Sequence, residues 1–122
     1  MEEAVRRRGD RAAFVLAGIG SLSRARLRLA GRELPEDLDG DLEILTLAGS
    51  VSPAGAHLHM SVSDATGRVL GGHVSHGSVV RTTAEVLLVV LSNWSFAREP
   101  DPATGFPELV IREVPGEASV MP

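Results

Sequence analysis

AHLHMSVSDATGRVLGGHVSHG, residues 56–77, holds all four histidines of the chain, and its register decides how the sheet is built. Leu58 to Ser63 alternates apolar and polar residues, and Arg68 to Ser75 does so less strictly, so both read as strands. Between them, Asp64-Ala65-Thr66-Gly67 suits a type I turn followed by a left-handed glycine, the three-residue hairpin loop with a glycine bulge. That loop pairs Asp64 with Arg68, and counting back along both strands sets His59 opposite His73.

Alternation along a strand puts His57 on the same face as His59 and His73. Directly opposed residues lie about 4.5–5.5 Å apart, close enough for three imidazoles to converge on one ion. The other face then carries Leu58, Met60 and Val62 against Leu70, Gly72 and Val74, a plausible core face. A two-residue loop would oppose His73 to Leu58 and mix polar with apolar, so hydrophobic pattern and turn chemistry select the same register. His76 falls on the opposite face and is not counted as a ligand. Three histidines with a fourth position open match a zinc site of the catalytic type, although imidazole also suits copper, nickel and iron. The alternative is that these histidines line a polar face or a subunit interface.

Outward from the hairpin, Glu2 to Arg8 makes a short helix, acidic in its first turn and basic in its last, ended by Gly9. Ala12 to Ile19 is apolar on both faces and reads as a central buried strand. Gly18-Ile19-Gly20-Ser21 resembles part of a phosphate loop but lacks its third glycine and lysine, so these glycines read as a bend. Ser23 to Leu29 is an amphipathic strand with Arg24, Arg26 and Arg28 on one face, either a solvated row or a binding surface. Residues 31–41, with five acids, two glycines and a proline, read as a loop.

Leu42 to Val51 is the next strand, with Glu43 on its exposed side. Val79 to Leu91 is apolar enough to be buried. Its lone acid, Glu85, must then pair with an arginine or serve a site. Glu85 and Glu43 are the candidates to orient the imidazoles or act in catalysis, and the sequence names no reaction. Leu109 to Val114 is a last strand, and residues 115–122 read as a frayed tail. About seven strands and one short helix in a single domain over 1–122 indicate an α+β fold built mainly on an antiparallel sheet.

Composition narrows the function classes. The chain has 122 residues, 43% apolar and 23% charged, and no apolar run of membrane-spanning length. The absence of cysteine excludes disulfides and agrees with a cytoplasmic protein. A net charge of −4 opposes avid nonspecific binding to nucleic acid, and 3% aromatics with no tyrosine opposes base stacking. Eight of the twelve arginines lie in the first 32 residues and lysine is missing, which reads as a basic patch or as ordinary surface cations.

FVLAGIGSLSRARLR, LEILTLAGSV, HLHMSVSDATGRVLGGHV, TTAEVLLVVL and FAREPDPATGFPEL, taken in this order, resemble the plants-and-prokaryotes-conserved (PPC) domain family over Ala12 to Leu109. The resemblance implies an antiparallel sheet flanked by one or more helices and assembled as a homotrimer. In plants this domain follows AT-hook segments of nuclear DNA-associated proteins and mediates self-association and partner binding. Some stand-alone prokaryotic members carry a histidine metal site, whose matching positions here are His57, His59 and His73. No Arg-Gly-Arg-Pro core occurs in this sequence. The plant pattern Gly-Arg-Phe-Glu-Ile-Leu is replaced by Gly40-Asp41-Leu42-Glu43-Ile44-Leu45, so the likeness is to the prokaryotic branch. Family members usually have a further strand and a longer helix ahead of the position of Ala12, and without that strand one sheet edge is expected to stand open. The resemblance therefore implies a trimeric metal-binding domain, with a regulatory or DNA-associated oligomerisation module as the alternative.

Overall fold

The computed structural model describes residues 1–115, and the expected frayed tail lies outside them beyond Pro115. Among these residues the chain forms one helix, α1 (Glu2–Arg7), and seven strands. The strands are β1 (Ala13–Arg28), β2 (Glu36–Ser52), β3 (Gly55–Ser63), β4 (Val69–Val74), β5 (Val79–Val90), β6 (Trp94–Pro100) and β7 (Pro107–Glu113). Five of them make a sheet in the order β2-β3-β4-β1-β5, with β1 also paired to β2; β6 and β7 form a separate antiparallel ribbon. The chain divides into two compact units.

One unit comprises Met1–Phe14, Val51–Ala56 and the described residues from Val90 onward. Its helix follows the dipole rule, with Glu2 and Glu3 in the first turn and Arg6 and Arg7 in the last, and Gly9 ends it at a φ of 75°. Val5 is the buried face of α1, and the Glu2 carboxylate accepts a hydrogen bond from the Ala56 amide at 2.8 Å. The β6–β7 ribbon runs from Trp94 opposite Glu113 to Pro100 opposite Pro107. Phe96 is its buried aromatic anchor.

The other unit comprises Val15–Ser50 and His57–Val89. Its core is Val15, Leu22, Ala25, Leu27, Leu42, Ile44, Leu47, Leu58, Met60 and Val62, the inward positions of alternating strands. Two glycines permit close strand approach. A Cβ on Gly20 (φ 145°) would lie 2.3 Å from the Thr83 carbonyl oxygen, and one on Gly49 (φ 148°) would lie 2.0 Å from that of His57. β1 consequently runs unbroken through its glycine segment.

Three expectations are corrected. The acidic stretch 31–41 is a loop only as far as Pro35, because β2 begins at Glu36. Arginines on β1 and β5 hold those acids in extended chain: Arg24 bonds Asp39 at 2.6 Å, Arg26 bonds Asp37 at 2.9 Å and Arg81 bonds Asp41 at 3.0 Å. β1 is not buried on both faces, since Leu16 and Ile19 are each 56% exposed. β5 is likewise exposed over Val79, Val80, Val86 and Leu87, and Glu85 is an exposed residue, so it carries no burial penalty to be relieved by a partner.

Candidate metal centre

The hairpin loop is built around Asp64. Its amide donates to the Arg68 carbonyl at 2.9 Å, and the Gly67 amide donates to the Asp64 carbonyl at 3.0 Å. Gly67 takes the left-handed conformation at a φ of 83°. The Asp64 carboxylate accepts from the Thr66 hydroxyl at 2.6 Å, the Thr66 amide at 2.9 Å and the Arg68 amide at 3.0 Å. These bonds, the Thr66 hydroxyl foremost, hold the Asp64 carboxyl below the usual carboxylate range.

This loop sets His59 opposite His73, Met60 opposite Gly72, Ser61 opposite Gly71 and Val62 opposite Leu70. Leu58, Met60 and Val62 point into the core, which commits His57 and His59 to the outer face. Glycine at positions 71 and 72 lets the neighbouring backbones approach β4. A Cβ at Gly72 would lie 2.6 Å from the Arg28 carbonyl, and one at Gly71 would lie 2.9 Å from that of Met60.

The three imidazoles converge. A ligating atom from each of His57, His59 and His73 lies within 4.8 Å of the others, and the ring centroids are 5.1–5.5 Å apart. Nε2 of His57 and Nε2 of His59 are 3.2 Å apart. His59 is exposed, whereas His57 and His73 are half-buried and Nδ1 of His73 is fully covered. Tetrahedral coordination with zinc–nitrogen bonds of about 2.0–2.1 Å separates neighbouring nitrogens by about 3.4 Å. The His57–His59 pair already has that spacing, and the donor set suits zinc or a similar divalent ion. The cluster could therefore hold a metal ion.

His76 lies outside the cluster and is exposed. Glu43 faces Arg81 at 3.6 Å, and Glu85 borders an open, mostly apolar groove of about 400 Å³ with Ala17, Gly18, Ile19, Val86 and Leu87. Neither carboxylate joins the three imidazoles. In the arginine row, Arg24 and Arg26 are ion-paired rather than simply solvated, and the Arg24 guanidinium holds the Asp39 carboxyl below its ordinary range. Sequence reading overlooked Thr46 and Ser61, whose hydroxyls meet at 2.7 Å. Ser61 stands two residues beyond His59 and so shares its face, a signal that alternation alone contained.

Among known proteins, the chain is 46% identical over 117 residues to a bifunctional protein GlmU of Synechococcus sp.. The alignment covers 96% of this chain but 18% of the relative, so the chain spans under a fifth of that protein's length. A hypothetical protein from Salmonella enterica superposes with a TM-score of 0.88 at 38% identity, covering 92% of this chain and 81% of that one. A protein of Archaeoglobus fulgidus described as metal-containing superposes with a TM-score of 0.74 at 28% identity, covering 89% and 81%. A candidate DNA-binding protein from Ralstonia eutropha gives 0.72 at 26% identity, covering 89% and 79%. The family model for the Plants and Prokaryotes Conserved (PCC) domain matches residues 1–92, three quarters of the sequence. By that match and by its seven-stranded, mainly antiparallel architecture, the chain belongs to the Plants and Prokaryotes Conserved domain family.

Proposed function

We propose that this protein is a homotrimeric metal-binding domain in which His57, His59 and His73 hold one divalent transition ion, zinc before others. The observation that carries the reading is the convergence of three imidazoles on one hairpin face, with two nitrogens 3.2 Å apart. The metal-containing relative from Archaeoglobus supports it. Three neutral nitrogen ligands leave a coordination position open, and an ion bound there would supply Lewis-acid polarisation and an acidified water. The chain's own part is to orient the rings through the hairpin register and to keep one side of the site accessible at His59.

Trimer assembly is supported by the apolar side chains left uncovered on β1 and β5, Leu16, Ile19, Val86 and Leu87, which a free chain would expose to water. Among the described residues no helix is long and apolar enough to cross a membrane. With the absence of cysteine, a prokaryotic cytoplasmic setting is the reading we adopt.

The test is metal content of protein purified without chelators, beside His59→Ala. Wild type should carry about one ion per chain, and the variant should lose it while sedimenting as wild type does. Metal-free wild type rejects the reading, and a variant that keeps its ion removes His59 from the ligand set.

The second reading, a DNA-associated oligomerisation module, draws on the Ralstonia neighbour. It ranks behind because the net charge is −4 and Arg24 and Arg26 are neutralised by Asp39 and Asp37. A gel shift titrated across salt decides it, since phosphate contacts must weaken steeply as salt rises.

A further inference from the structure

Arg28 stands beside the three histidines. β1 and β4 pair antiparallel with Arg28 opposite His73, and β4 and β3 pair with His73 opposite His59. Opposed residues of an antiparallel pair share a face, with Cβ atoms about 4.5–5.5 Å apart. Arg28, His73 and His59 therefore form one row across three adjacent strands. Leu27 and Met60 confirm the facing, for both are buried on the opposite side.

The earlier members of the arginine row have carboxylate partners, Arg24 on Asp39 and Arg26 on Asp37. These pairs step two residues forward on β1 for two back toward the start of β2. The next step reaches Pro35, which offers no charge. Among the described residues no carboxylate lies within 4.0 Å of the Arg28 guanidinium. Arg28 is exposed, so its five N–H donors are left to solvent on the strand that pairs with His73.

The surroundings are shaped for a small ligand. Gly71 lies two residues before His73 on the same face and projects no side chain. Across from it the Ser61 hydroxyl meets that of Thr46 at 2.7 Å, and the Ser61 amide donates to the Thr46 hydroxyl oxygen at 3.2 Å; of two hydroxyls joined by one O–H···O bond, one keeps its O–H to donate. Neutral imidazoles do not offset the charge of a divalent ion, and among the described residues no carboxylate joins the cluster. An ion there, next to Arg28, makes an uncompensated positive site.

We propose that Arg28 and the open position of the three-histidine centre together bind an oxyanion, the carboxylate or phosphate group of a small ligand. The guanidinium fork takes two oxygens of either group side by side, and a phosphate has a further oxygen for the Ser61–Thr46 hydroxyls. This rests on the metal reading above and adds the class of molecule the site receives.

The experiment is calorimetric titration of zinc-loaded wild type, Arg28→Met and Arg28→Lys with inorganic phosphate and, separately, acetate, after zinc content has been measured in each. Wild type should bind one or both probes, and the probe whose binding depends on Arg28 assigns the class. Arg28→Met should keep its zinc and bind that probe about 10- to 100-fold more weakly, as loss of a charge-assisted bond requires. Arg28→Lys should recover only part, lacking the fork. Equal binding by wild type and Arg28→Met, or no binding of either probe to zinc-loaded wild type, overturns the proposal while leaving the metal centre standing. Wild type that takes up no zinc overturns the metal reading itself, and is recognised at the first measurement.

Discussion

Asp64 and Arg68 are joined twice, by a backbone bond from the Asp64 amide to the Arg68 carbonyl at 2.9 Å and by the Arg68 amide donating to the Asp64 carboxylate at 3.0 Å. Together they end the two strands that carry the histidines. Asp64→Ala would strip the Thr66 and Arg68 amides of their acceptor, so thermal melting should come at lower temperature and metal retention should weaken with it. The same bonds give a pH signature. The folded-state carboxyl of Asp64 lies below its unfolded value, so its stabilisation is present above the ordinary carboxylate range and is lost as pH falls through the folded value. Asp39 acts in the same direction through Arg24. Acid titration followed by circular dichroism should show this component in wild type and its reduction in Asp64→Ala; identical acid midpoints would remove Asp64 from the account.

Gly49 and Gly67 both have positive φ, but their substitutions should differ. Nothing lies within 4 Å of a Cβ on Gly67, so Gly67→Ala should cost only the left-handed backbone strain, about 1–2 kcal/mol. Gly49→Ala adds a Cβ 2.0 Å from the His57 carbonyl and should cost about 3 kcal/mol or more while displacing the strand that carries His57 and His59. Urea unfolding of the two variants checks the order, and equal midpoints would contradict it.

Metal removal should destabilise the chain by mass action. At free zinc one hundred times the dissociation constant, the loaded protein should gain about 2.7 kcal/mol over chelator-treated protein. His59→Ala should melt at the same temperature with and without zinc. A zinc-dependent shift that persists in that variant would place the ion elsewhere.

Two leucines separate packing from assembly. Leu27 is 0% exposed, and Leu27→Ala should cost about 2–5 kcal/mol. Leu16 is 56% exposed, so Leu16→Arg should leave the far-ultraviolet spectrum of the chain intact and reduce the sedimenting mass from that of the proposed trimer to that of a monomer. A trimeric Leu16→Arg protein would exclude this face as the contact.

The histidine hairpin was legible because two local signals agree. Strand alternation puts Leu58, Met60 and Val62 on one side, and Asp64 with Gly67 specifies the loop that sets the count. The start of β2 was not legible, because Asp37 and Asp39 look like loop residues until Arg26 and Arg24 are brought alongside, and that is tertiary information. Burial of β5 was misread for a related reason. An apolar run such as Val86-Leu87 records that a side chain should be covered but not what covers it, so the expected partner for Glu85 rested on a cover this chain does not itself supply. The pairing of Arg28 with His73 was out of reach, since it joins strands separated in the chain by the whole of β2 and β3.

The two faces of the hairpin have a consequence for how errors in folding are detected. A hairpin that pairs one residue out of step turns Leu58, Met60 and Val62 to water and the imidazoles toward the core. Core and site are thus two readouts of one alignment, and a slipped register loses both at once. A ligand that requires His57, His59 and His73 together selects the correctly paired chains from the rest, so occupancy of the centre would certify the fold that built it.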